Sequence, residues 1–439
     1  MKKGLVAIVL LSLIAVFAVC ADAEVSDRLQ AEYSYSKSGL IQSVRYLDRD
    51  GNLAVAEDLG YAQVIYTYKA TRPILVEYQD AAGNPVNSAE GFCRCAYEYS
   101  GTRVVSKAYY TADGRPAVGP EGYAVEETAY TDGKISSVVH YGTNGQLVSA
   151  GSLYARFDRQ YKAGPDGKLH LMSEQYTAAN GSLFACSEGW GRVEYEYSYN
   201  YKYTTVTRYI GPDGKLVMNP KKGYAVCVSD VNLDKISSTK YYDENNRLIN
   251  GPSGWASCVY TYTSTSVTKR YFTSDGKGYV NSKGYCGVTQ ISKSGRVTEE
   301  YYLDENGSRT MIKAGYAGWQ KTFATGGKVG KQVYVDTNGK PVNVPSLGYA
   351  QFNRTYSNKL LAEEYYFDAS HNPVECANGY HKVVYTYDKN KRVIEEWYYS
   401  ASGTRTRCSG GYAGKAYEYD FAGRTTKVTY FDSTGKNQF

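Results

Sequence analysis

Five tyrosines, Tyr195, Tyr197, Tyr199, Tyr201 and Tyr203, occupy alternate positions in one short segment, with Trp190 just ahead of them. Side chains two apart in a strand share a face. An unbroken strand here would therefore present a row of planar rings, a surface able to stack on sugars. The preceding stretch carries an inserted Gly164-Pro165-Asp166-Gly167, and irregular loops on a regular scaffold are where binding residues gather. Trp190, Tyr195, Tyr197, Tyr199, Tyr201 and Tyr203 are accordingly the candidate ligand-binding residues, for a glycan or another extended polymer. The competing reading is a bulged join between two halves of a repeat array.

Cysteine offers a second chemistry. Eight cysteines follow Cys20. Cys227 and Cys258 lie at one phase of a repeat described below, and Cys376 and Cys408 share another. Stacked strands lie about 5 Å apart, within disulfide reach, so the expected bridges are Cys227–Cys258 and Cys376–Cys408. Free thiols are the alternative. Asp-x-x-Gly segments such as Asp80-Ala81-Ala82-Gly83 and Asp304-Glu305-Asn306-Gly307 supply too few alternating oxygens for a calcium loop. They read as turns, with Asp holding backbone N–H groups and Gly in the left-handed position. The four histidines, His140, His170, His371 and His381, have no metal-ligand spacing. No nucleophile motif or phosphate loop is found. The expectation is a non-enzymatic chain without metal or cofactor.

The elements that would position these residues repeat. A Gly-aromatic-small anchor recurs as Gly60-Tyr61-Ala62, Gly91-Phe92-Cys93, Gly122-Tyr123-Ala124 and, in degenerate form, Leu153-Tyr154-Ala155. It continues from Gly189-Trp190-Gly191 to Gly411-Tyr412-Ala413, at spacings between 30 and 36 residues. A fixed period in this range marks a solenoid or array. After each anchor comes an alternating strand (Val64-Ile65-Tyr66-Thr67-Tyr68), a short turn, a second strand ending in aromatics, an Asp-x-x-Gly turn and a short Pro-Val piece. No helical period persists beyond two turns. The expected fold is all-β, an elongated tandem β-hairpin array of about 12 units of about 31–32 residues. The chain has 439 residues, with 48 Tyr against 11 Phe. Rings from equivalent units would stack as a ladder, with their hydroxyls kept near water.

Residues 1–23 read as a signal peptide: Met1-Lys2-Lys3, an apolar run from Gly4 to Val19, then Ala21-Asp22-Ala23. Residues 24–439 then form the single array, secreted or at the cell surface, with no membrane span after cleavage. An uncleaved anchor and a lipoprotein through Cys20 are the alternatives; Val19 is a poor residue before a lipidated cysteine. A net charge of +6 with no Lys/Arg cluster argues against nucleic acid.

Tyr419-Asp420-Phe421-Ala422-Gly423-Arg424 fits Tyr-Asp-x-x-Gly-Arg, and Tyr387-Asp388-Lys389-Asn390-Lys391-Arg392 is a near copy. On these residues the chain resembles the YD-repeat (Rhs-type) bacterial surface proteins. It departs from them in period and in units such as Tyr68-Lys69, where the Asp is lost. The paired aromatics before a turn are more weakly similar to cell-wall-binding repeats of the choline-binding kind. The resemblance implies a stacked β superstructure serving as a shell or spacer. Two functions follow as expectations: binding or adhesion through tyrosine-rich faces, or a structural, self-associating surface component that contacts protein partners or its own copies.

Overall fold

Alternating side chains between turn-forming residues give strands throughout. The computed structural model describes residues 29–149 and 154–438, and among them are 26 strands and one 3-10 turn, Thr325–Gly327. The expected signal peptide, Cys20 and Leu153 of the degenerate anchor lie outside the described residues. No described helix is long and apolar enough to cross a membrane. The all-β hairpin array is therefore observed.

One repeat shows how the sequence builds it. Strand Gln63–Lys69 pairs antiparallel with Arg72–Gln79 across a tight turn. The register shifts between Thr67 and Tyr68, which pair with Leu75 and Pro73, so a bulge lies near the start of the second strand. The chain then turns at Asp80, whose Oδ1 accepts the N–H groups of Ala82 (2.9 Å) and Asn84 (2.8 Å). Gly83 closes that turn at φ +84°, a conformation that strains a residue with a Cβ. The return segment bridges Gln79 to Pro85 and leads to Gly91-Phe92-Cys93. The next strand meets the previous hairpin through only three pairs: Leu75–Ala96, Val76–Cys95 and Glu77–Arg94.

The described chain divides into two compact bodies. The first holds the described residues up to Tyr201 together with Thr207–Lys221; the second holds Lys202–Val206 and the described residues from Lys222 onward. The same hairpin grammar runs in each.

The core of each body is a row of rings. Anchor aromatics alternate with aromatics near the ends of the second strands, as Tyr46, Tyr61, Tyr78, Phe92, Tyr109 and Tyr123 do in the first body. Their centroids are 4.3–6.1 Å apart. In the second body an equivalent row runs from Tyr285 through Tyr302, Tyr316, Tyr334, Tyr349, Tyr366, Tyr380, Tyr398 and Tyr412 to Tyr430. These separations are the favourable range for aromatic pairs. The small anchor residue is small for lack of space: Ala62, Ala124, Ala225, Ala317, Ala350 and Ala413 are all fully buried.

The expected disulfides are not made. All eight cysteines of the described residues are free. Each repeat contributes two strands, so residues one repeat apart are separated by an intervening strand. Cys227 lies opposite Tyr241 and Cys258 opposite Thr239, on either side of strand Lys235–Tyr242. That spacing is about 10 Å, beyond disulfide reach. Cys376 packs instead with Phe352 and Tyr366 in the core, and Cys408 likewise keeps a free thiol.

Candidate binding surface

Tyrosine hydroxyls do not simply face water. Beyond the three-pair ladder, consecutive hairpins splay, and a tyrosine near the end of the first strand, often the second ring of a Tyr-x-Tyr pair, crosses the gap. Tyr99 donates its hydroxyl to the carbonyl of Pro73 at 2.8 Å, a carbonyl at the preceding hairpin's bulge. The same strap is made by Tyr68, Tyr130, Tyr161, Tyr197, Tyr262, Tyr356, Tyr387 and Tyr419, at 2.7–3.1 Å, each to a residue 26 or 27 positions earlier. A bulge withdraws a backbone group from regular pairing, and the phenol satisfies it. One exception supports this cause. Strand Ser266–Phe272 pairs with its hairpin partner without a register shift and meets the next strand through five pairs instead of three. The next repeat has Ser292 at the strap position, and its backbone N–H bonds Thr265 directly at 2.7 Å.

A cation reinforces many straps. Arg72, Arg103, Lys134, Lys235, Lys328 and Arg392 lie 4.6–5.8 Å from the strap ring of the following repeat. The Tyr-Asp-x-x-Gly-Arg motif is the full form of this device. Tyr419 bonds Val393 O (2.7 Å), while Asp420 holds the Arg424 N–H (2.8 Å) and its guanidinium (2.7 Å).

The candidate residues around Tyr195 are placed differently from expectation. The strand ends at Tyr197, residues 198–201 form a turn, and Tyr201 adopts φ +57°. The rings therefore do not form one face. Trp190 is 7% exposed, packs between Tyr176 and Tyr209, and donates Nε1–H to Glu188 at 3.3 Å. Tyr195 is half-buried, and burial raises its hydroxyl pKa above the usual tyrosine value. Tyr197 is a strap to Leu171 O. Tyr199 is exposed on the turn at 79%. Tyr201 stacks on Tyr197 at 5.5 Å and contacts the His170 ring at 4.8 Å. Tyr203 belongs to the second body, half-buried beneath Lys202. The inserted loop does reach this region: His170 Nε2 lies 3.0 Å from Asp166 Oδ1. Arg192, Glu194, Tyr195 and Glu196 of this strand, with Arg208 of the next, border a shallow cavity of about 270 Å³.

Sequence reasoning missed the polar groups of the ring row. His140 takes a tyrosine's place there, stacked on Tyr123 at 4.6 Å and bonded to Glu126 at 3.2 Å. Glu174 meets Arg159 at 2.8 Å, and Glu396 meets Lys415 at 2.8 Å and the Tyr398 hydroxyl at 2.5 Å. Their signal was visible as Glu-x-Tyr near the ends of second strands (Glu174, Glu300, Glu364, Glu396), because residues two apart share a face. Chemically these carboxylates are paired hydrogen-bond acceptors within the row.

No family model and no curated protein matches this chain. Among solved structures it is similar to TcdB2-TccC3 without its hypervariable C-terminal region: 11% identity over 93% of this chain and 26% of that one, with a TM-score of 0.18. It is likewise similar to the Photorhabdus luminescens Tc holotoxin pore, at 11% identity over 93% of this chain and 25% of that one, again with a TM-score of 0.18. The chain thus spans about a quarter of the length of these solved chains. At that score the likeness carries no argument about fold or function.

Proposed function

We propose that this chain is a non-enzymatic, exported β-repeat scaffold that extends or displays surface outside the cytoplasm. The carrying observation is the commitment of tyrosine to the architecture. Rings fill the row and hydroxyls strap consecutive hairpins, so the residue best suited to stack on sugar is mostly engaged inside the protein. The leading residues read as a signal peptide support export. A glycan array with the full chain and Tyr199→Ala tests the reading. The scaffold predicts no neutral-glycan signal dependent on Tyr199. Strong binding lost with Tyr199→Ala would restore adhesion through the tyrosine-rich turn as the main function, a reading that the exposure of this ring favours.

A further inference from the structure

One bulged, three-pair junction in the second body lacks its strap. Phe323 stands where most repeats have the strap tyrosine, and it has no hydroxyl to give. The equivalent acceptor, 26 residues earlier, is Val297. The preceding hairpin is bulged as elsewhere, with a register shift between Ile291 and Ser292. The junction again has only three pairs: Glu299–Gln320, Glu300–Trp319 and Tyr301–Gly318. A splayed gap without a strap should stay open, and a cavity of about 610 Å³ lies at this place. That volume is within the range of small-molecule sites.

The lining has a definite chemistry. Lys293, Arg296 and Lys321 border the gap with one carboxylate, Glu299, which lies 3.5 Å from Lys293. Thr298, Gln320 and Thr322 add hydroxyl and amide groups, and Phe323 adds a ring. The Lys321 ammonium sits 3.6 Å over Trp319. Burial lowers its pKa below the ordinary lysine value, and a bound anion would offset this by favouring the charged ammonium. The three hairpin turns 293–296, 323–329 and 357–360 carry Lys293, Arg296, Lys328 and Lys359 and no Asp or Glu. Cations, hydroxyl-directed groups and one ring match a sugar that bears a negative charge.

We propose that the unstrapped junction at Phe323 is a binding groove for an acidic saccharide unit, with Arg296 and Lys321 holding its anionic group. This goes beyond the scaffold reading and does not rest on export. The test titrates the purified full chain with hexagalacturonate, a sulfated hexasaccharide, neutral maltohexaose and a single-stranded DNA oligonucleotide. Both Arg296→Gln and Lys321→Gln should weaken binding of an acidic saccharide about tenfold each, and maltohexaose should not bind. Whether the carboxylated or the sulfated probe binds more tightly identifies the anionic group. Phe323→Tyr should restore the strap to Val297, weaken saccharide binding comparably and hold or raise the melting temperature, which separates closure of the groove from misfolding. Tyr356→Phe, which removes a neighbouring strap, should leave binding unchanged. The proposal is overturned if no acidic saccharide binds, if the three groove variants bind like the parent, or if DNA binds as tightly and is equally weakened. The array reads Tyr199 and the titration reads Arg296, Lys321 and Phe323, so failure of the scaffold reading and failure of the groove are told apart.

Discussion

A tyrosine hydroxyl distinguishes this protein from one built with phenylalanine. Tyr387 donates to Leu361 O at 2.8 Å across a gap that the backbone ladder does not close. Removing the donor leaves a partly buried carbonyl unsatisfied, and a net hydrogen bond is worth about 1 kcal/mol. Tyr387→Phe should therefore lower stability by about 1 kcal/mol in urea unfolding, with the transition slope unchanged. Tyr33→Phe, at an exposed ring, should be near neutral. Cysteine gives a second prediction at this scale. Burial raises the Cys95 and Cys227 thiols to about 11, so they are protonated at neutral pH. Because the thiolate is the reactive form, both should resist alkylation in the native protein. All eight cysteines of the described residues should react after unfolding without reductant; fewer than eight would mean that bridges exist.

At the level of the hairpin, turns and junctions were unequally legible in the sequence. The Asp-x-x-Gly turns were readable because donors and acceptor lie within five residues. Asp336 Oδ1 takes the N–H groups of Asn338 and Lys340, both at 2.8 Å. The straps were not readable, because a 26-residue separation becomes a contact only once each repeat is known to hold two strands and a bulge. The same fact displaced Cys227 from Cys258. Tyr201 in a left-handed turn broke the tyrosine row, since alternation alone cannot tell a strand from a turn with rings at every second place. The turns also predict acid behaviour. Backbone N–H groups, foremost that of Asn84 on Asp80, hold the Asp80 carboxylate below its usual range. Asp113 and Asp275 fall to about 2, chiefly through hydrogen bonds from Arg115 and Thr273. A lowered folded-state pKa gives stability that is present above the unfolded value near 4 and lost as pH falls through the folded one. Protection against hydrogen exchange at these turns, relative to the intrinsic rate, should fall between about pH 4 and pH 2; protection unchanged at pH 2 would contradict the assignment.

Across the whole chain, the excess of tyrosine over phenylalanine becomes a statement about ionisation. Buried phenols throughout both bodies are pushed upward, by desolvation first: Tyr154, Tyr241, Tyr271 and Tyr380 to about 12, and Tyr109, Tyr302, Tyr366 and Tyr398 further still. A raised folded-state pKa gives stability that is complete below the unfolded value near 10 and lost as pH rises through the folded one. Many phenols acting together should make alkaline unfolding steep. The most direct measurement is therefore an ultraviolet titration of phenolate formed against pH, with far-ultraviolet circular dichroism on the same samples. The architectural role of tyrosine predicts that a minority of the 48 rings ionise near pH 10, and that the rest ionise in one step at higher pH as the β signal collapses. Nearly all rings titrating near pH 10 with the β signal intact would contradict it.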